Sequence, residues 1–209
     1  MTRLSGRVVR WQPMLDSLLF SGVVLAWPHD EPLTWKGAVW SLRVISVLVT
    51  LAAVFVLDNA AADVLAPMPL PLGARTAPRV GFTLVWIVPV WGVSLLVLAP
   101  RMSAVWVLWS TVEPAGLLAT GLAGAAMLAG RLGMREPGVV AAPGAAGAWL
   151  LIFILPGPVA MSTLRPQDWV VAHLYWSLLL VAGLAVLVRM SRDPVRRPRT
   201  WRRCWPPAR

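Results

Sequence analysis

The feature that most constrains this chain is a series of apolar runs, each about as long as a bilayer is thick. A hydrocarbon core of about 30 Å needs roughly 20 helical residues to cross it. The runs that meet this length most clearly are residues 38–57, 80–98 and 169–188. They predict an integral membrane protein and exclude a soluble fold.

The composition supports the same class, since 58% of the residues are apolar and 13% are charged. Neither an ordinary globular domain nor a disordered chain has such a balance. No segment outside the apolar runs is long enough to fold alone, because domains below about 40 residues usually need disulfides or metals. The sequence therefore predicts one helical transmembrane domain over residues 1–188 and a basic cytoplasmic tail over residues 189–209.

The formal charge of +10 is carried mostly just beyond the apolar runs. Lysine and arginine at such positions set the orientation of membrane helices, so the charge indicates a lipid bilayer as partner and not nucleic acid. The tail from residue 189 onward has eight arginines and one aspartate, which favours contact with anionic lipid. The tail arginines expected to face lipid are Arg196, Arg197, Arg199, Arg202 and Arg203.

Three further apolar runs, at residues 11–27, 102–130 and 139–155, bring the number of predicted helices to six. Six spans place both basic ends of the chain on the cytoplasmic side of the cell membrane, whereas five would force one of them outside. The first run is short and contains Asp16. An amphipathic helix at the interface followed by five spans is therefore the alternative.

The run at residues 102–130 is too long for one straight span and too short for two. Ser110 and Glu113 match the spacing of a capping box, and Pro114 is best tolerated near a helix start. The pattern predicts a helix beginning at about Thr111. Residues 103–109 would then form a short outer-leaflet segment or a re-entrant turn.

Small residues recur at four-residue spacing on two of the predicted helices. They are Gly116, Thr120 and Gly124 on one helix, and Gly144 and Ala148 on the next. Such faces allow helix backbones to approach closely. We expect these two helices to pack together or against a partner subunit.

Few polar residues lie at membrane depth, where burial is costly. Glu113 is the candidate for a proton or cation site, although a capping role explains it without function. We expect Arg43 to extend its side chain towards the interface, with pairing to another charge as the alternative, and His173 to lie at the interface. Trp86 and Trp91, deep in their run, are candidates for a hydrophobic substrate path, with packing as the simpler interpretation.

Several enzyme classes lack their residues in this chain. The sequence contains no H-E-x-x-H, no G-x-S-x-G, no cysteine cluster, no aspartate-rich diphosphate-binding motif and no P-loop. It therefore predicts no catalytic activity of its own, no cofactor and no metal site. Use of ATP would require a separate chain.

The stretch LAAVFVLDNAAADVLAPMPLPLGARTAPR, at residues 51–79, resembles a pattern in uncharacterised actinobacterial multispanning proteins grouped with ATP-binding cassette exporter permeases. The resemblance covers less than a sixth of the chain. It implies a permease-like subunit that pairs with itself or a second membrane subunit and contacts a separate ATPase. The residues that would form the coupling loop are Asp58, Asp63, Arg75 and Arg79.

Two functional hypotheses follow from these observations. The first is a membrane-spanning subunit of an exporter, energised by a separate ATPase chain. The second is a non-transporting subunit that assembles or anchors a membrane protein complex through its small-residue faces. An intramembrane enzyme would need a buried acid or base, for which Glu113 and His173 are the eligible residues.

Overall fold

The described part of the chain consists of helices joined by short connections. A computed structural model describes residues 12–27, 34–58, 72–154 and 166–192. The helices within these ranges are α1 (Gln12–Ala26), α2 (Trp35–Val54), α3 (Leu72–Leu98), α4 (Ala104–Arg131), α5 (Pro137–Ile154) and α6 (Pro166–Arg192). Short 3₁₀ turns at Phe55–Leu57 and Ala99–Arg101 follow α2 and α3. The prediction of an all-helical protein with about six helices is confirmed.

Four stretches in the described ranges are long and apolar enough to cross a membrane. They are Trp35–Leu57, Ala77–Arg101, Ala104–Arg131 and Asp168–Met190. Helix α1 and the apolar part of α5, Pro137–Ile152, are shorter. The chain is thus a helical membrane protein, and whether α1 spans the bilayer or lies at its surface stays a prediction.

The polarity of the molecule is arranged as a bilayer requires. Large apolar side chains are exposed on the outer faces of the helices, with Leu96 of α3 and Val170 of α6 among the most exposed. The interior instead contains Arg43, Glu113 and His173. A water-soluble protein would place these groups the other way round, because exposed apolar surface is costly in water but not against lipid tails.

Helix α2 lies at the centre of the bundle and contacts α1, α3, α4 and α5. The most extensive helix contact is between α4 and α6. Gly116 of α4 lies so close to α6 that an added Cβ would be 3.0 Å from the Trp176 carbonyl oxygen. Glycine at this position lets the two backbones approach closely, and it brings the fourth turn of α4 against the third turn of α6.

Helix α4 differs from the sequence prediction. It begins at Ala104 with Ser103 as its N-cap residue and runs without interruption through Pro114 to Arg131. The predicted start at Thr111 and the separate segment at residues 103–109 are therefore wrong. Pro114 has no N–H to donate to the Ser110 carbonyl, but membrane helices tolerate such a gap where neighbouring helices pack against it.

Candidate functional site

The candidate site is built around an ion pair between α2 and α4. The Arg43 guanidinium donates two hydrogen bonds to the Glu113 carboxylate, from Nε to Oε2 at 2.8 Å and from Nη2 to Oε1 at 2.8 Å. The two side chains are 5% and 6% exposed. A parallel pair of charge-assisted bonds fixes the relative orientation of both groups. The pair therefore joins two central helices at one defined register.

His173 of α6 is the third member of this cluster. Its Nδ1 lies 2.8 Å from the Trp169 carbonyl oxygen, and its Nε2 lies 3.5 Å from Glu113 Oε1. A carbonyl oxygen only accepts hydrogen bonds, so Nδ1 carries a proton and donates it. Nε2 consequently carries a proton only when the imidazole is positively charged. We call Arg43, Glu113 and His173 the ionic centre.

Tryptophan rings cover the ionic centre on the His173 side. The His173 ring lies 4.0 Å from the Trp169 ring and 5.0 Å from the Trp109 ring, measured between centroids. The Trp106 ring lies 3.6 Å from the Trp169 ring with their planes tilted by 51°, and the Trp35 ring lies 4.7 Å from the Trp106 ring. These rings exclude bulk water, which strengthens the electrostatic interactions beneath them.

The charge balance of the ionic centre depends on His173. With a neutral imidazole, Arg43 and Glu113 cancel each other, and the buried cluster has no net charge. With a protonated imidazole the cluster carries one positive charge. A buried charge that loses its partner is costly, so the state of each of the three groups affects the other two.

The structure changes the interpretation of all three residues. The expectation that Arg43 extends to the interface is wrong, because its side chain is buried against Glu113. The capping role of Glu113 is wrong, because α4 begins nine residues earlier. His173 is fully buried and not interfacial. The sequence did contain a signal for this pairing: an arginine and a glutamate lie in separate apolar runs, and each charge needs a partner at membrane depth.

Trp86 and Trp91 both lie in apolar surroundings. Trp86 lines an apolar groove that also includes Met14 and Leu18 of α1 and Val49 of α2. Trp91 packs against a cluster formed by Ala38, Leu42 and Leu98. A substrate path along these tryptophans stays a prediction.

The predicted packing residues separate into two groups. Gly116 contacts α6, and the Thr120 hydroxyl donates to the Gly116 carbonyl of its own helix at 2.8 Å. An added Cβ at Gly124 or Gly144 would instead have no neighbour within 4 Å, and Ala148 is exposed. Helices α4 and α5 do contact each other, but Gly144 and Ala148 face outward.

The coupling-loop residues lie partly within the described ranges. Asp58 Oδ1 accepts a hydrogen bond of 2.7 Å from the N–H of Gly138, and the Asp58 carbonyl accepts one of 3.1 Å from Arg79 Nη1. Asp58 thus caps the first turn of α5 and is buried. Arg75 belongs to α3. Outside the described residues lie Asp63, the proline segment at residues 67–71, and Arg196, Arg197, Arg199, Arg202 and Arg203.

The Asp58 cap predicts a difference between two substitutions. Asp58→Ala should lower the free energy of unfolding by about 1–2 kcal/mol, because the Gly138 N–H loses its acceptor at a buried helix end. Asp58→Asn retains an acceptor oxygen and should lose less than half as much. Thermal unfolding in mild detergent, followed by circular dichroism, measures both. Equal losses for the two variants would contradict the capping role.

The described ranges contain no group of three or more His, Cys, Asp or Glu side chains placed to hold a metal ion. Comparison with models of known families, with curated proteins and with solved structures finds no match for this chain. Any functional conclusion therefore depends on the geometry of the ionic centre and on the helices that hold it.

Proposed function

We propose that this chain is a membrane-spanning subunit of an exporter, energised by a separate ATPase chain, with the ionic centre as its functional core. The observation that supports this most strongly is the Arg43–Glu113 pair, buried inside a bundle whose outer face is apolar. Ionisable groups within membrane helices are costly and typically mark ion or substrate pathways.

The position of the pair suggests how it would act. Arg43 and Glu113 join α2 to α4, and His173 brings α6 to the same carboxylate. Three helices that share one carboxylate can exchange partners if they shift relative to one another, since packed interfaces have discrete arrangements. Transport would then proceed by helix rearrangement, with no covalent catalysis by this chain.

The energy source and the topology are part of the same proposal. The sequence contains no P-loop, so ATP would be bound by another chain, as the resemblance at residues 51–79 implies. The chain would lie in the cell membrane with both termini cytoplasmic and would pair with itself or a second membrane subunit. This orientation requires that all six helices of the described ranges cross the bilayer, including the shorter α1 and α5.

Affinity purification in mild detergent tests the proposal. We expect the tagged chain to retain an ATPase at a fixed stoichiometry, identified by mass spectrometry. After reconstitution into liposomes, ATP hydrolysis by the assembly should exceed that of the isolated ATPase. A preparation with no ATPase, or an ATPase whose hydrolysis is the same without this chain, would contradict the exporter assignment.

The outward small-residue face of α5 favours a second candidate, an assembly or anchoring subunit. Gly144 and Gly147 have open space where a Cβ would stand, and Ala148 beside them is exposed. A helix of another subunit could approach closely here. Purification with other membrane subunits and without an ATPase would support this candidate over the first.

A further inference from the structure

We propose that His173 Nε2 and Glu113 Oε1 form a proton-binding site, and that proton uptake transfers part of the Glu113 carboxylate from Arg43 to His173. This deepens the proposed function, because it names the ligand of the ionic centre on which that function rests. The supporting observation concerns one atom, because His173 Nε2 is fully buried and makes no hydrogen bond within the described ranges.

The hydrogen bond of the other ring nitrogen decides what Nε2 can do. Because Nδ1 donates to the Trp169 carbonyl, the neutral imidazole has its lone pair at Nε2, directed towards a carboxylate oxygen 3.5 Å away. A lone pair and a carboxylate cannot form a hydrogen bond. Adding one proton to Nε2 creates a donor facing an acceptor, so this geometry has a place for a proton.

The proton would have a consequence for the helix packing. Oε1 of Glu113 already accepts the hydrogen bond from Arg43 Nη2 at 2.8 Å. A protonated Nε2 competes for the same oxygen, while Arg43 Nε retains Oε2. Proton uptake therefore tightens the contact of α4 with α6 and weakens that of α4 with α2. The bound proton sits on His173, and the cluster changes from net zero to one positive charge.

The charged groups on the helices around His173 determine which other side chains could affect its protonation. Arg43 faces His173 from α2 and Glu113 faces it from α4. Asp168 lies in the first turn of α6, five residues before His173. From α3, Arg79 hydrogen-bonds Asp58, about four turns along α2 from Arg43. Among the charged side chains in the described parts of these helices, Glu113 is the carboxylate that lies within 4 Å of Nε2.

Nitrogen NMR of the imidazole tests the proposal directly. The chain has two histidines, so His29→Gln leaves His173 as the single labelled side chain. The ¹⁵N-histidine protein, in phosphatidylcholine liposomes without any partner, is titrated from about pH 9 to pH 4, around the range in which histidine titrates. We expect the Nδ1–H tautomer at high pH, and a proton gained at Nε2 as the pH falls.

Two variants show whether Glu113 holds the proton. In Glu113→Gln the Nε2 change should move to lower pH by about one unit or more, because an opposite charge that favours the charged imidazole is lost. In Asp168→Asn, the matched control on the histidine's own helix, it should move by less than about half a unit. Equal shifts in both variants would overturn the proposal.

The unsubstituted site provides a test that does not require a folded Glu113 variant. An Nε2–H tautomer at high pH, or an Nε2 that stays unprotonated down to about pH 4, would overturn the proposal. The experiment uses the chain alone in lipid. Its result is therefore independent of whether an ATPase binds, and the two proposals fail separately.

Discussion

Arg43→Met is expected to lower the free energy of unfolding by about 3–5 kcal/mol, because the buried Glu113 carboxylate loses its permanent cation and keeps only the imidazole of His173 beside it. Glu113→Leu should cost a similar amount, since it strands the Arg43 guanidinium in the same apolar interior. The double variant Arg43→Met/Glu113→Leu should recover to within about 1 kcal/mol of the original protein or exceed it. Apolar side chains of similar volume often replace a buried ion pair without loss.

The measurement is unfolding by sodium dodecyl sulfate in mixed micelles, followed by circular dichroism. The three variants and the original protein form a double-mutant cycle, which isolates the coupling between the two side chains. Lys36→Met, on the same helix as Arg43 but exposed, is the matched control and should change stability by less than about 0.5 kcal/mol. Single-variant losses below about 1 kcal/mol would contradict a buried, mutually dependent pair.

Gly183→Val should strongly destabilise the contact between α4 and α6. A Cβ at Gly183 of α6 would lie 2.7 Å from the Ala119 carbonyl carbon and 2.9 Å from the Thr120 nitrogen. Both are backbone atoms of α4, so no side-chain rotation relieves the overlap and the two helices must separate. We expect a loss of at least about 1–3 kcal/mol, the usual cost of overpacking.

The matched control for Gly183 is Gly124 on α4. A Cβ there has no neighbour within 4 Å, so Gly124→Ala should leave the free energy of unfolding unchanged or raise it by up to about 1 kcal/mol. The same detergent titration measures both variants. Equal changes in the free energy of unfolding for Gly183→Val and Gly124→Ala would contradict the close backbone contact of α4 and α6 at Gly183.

The helices were predictable because hydrophobic length is a local property. Each apolar run contains its own helical hydrogen bonds, so the number and approximate bounds of the helices follow from the chain without knowledge of its partners. The capping box at Ser110 and Glu113 is also a local pattern, and here it misled. Pro114 and Glu113 lie inside a continuous helix, because packing of α4 against α2 and α6 outweighs the local start signal.

The ionic centre was harder to predict because its contacts are distant in sequence. Arg43 and Glu113 are 70 positions apart, and each has a plausible explanation when its helix is considered alone. The same limit applies to the glycines. Gly116 and Gly124 have equal spacing signals, but only the first faces a neighbouring backbone. Among the glycines of the described ranges, Gly183, which no spacing pattern singled out, would place a Cβ nearest to a neighbouring helix.

We propose that the Arg43–Glu113 pair serves transport and is not retained for stability alone. The most direct test is the rate of ATP hydrolysis by the purified assembly in liposomes, with the original chain and with the folded double variant Arg43→Met/Glu113→Leu. We predict that the variant assembles with the same composition. The stimulation of ATP hydrolysis, defined as the rate above that of the isolated ATPase, should fall at least about tenfold, which corresponds to about 1.4 kcal/mol or more in the activation barrier. An assembly with the same composition and an unchanged rate would contradict the account.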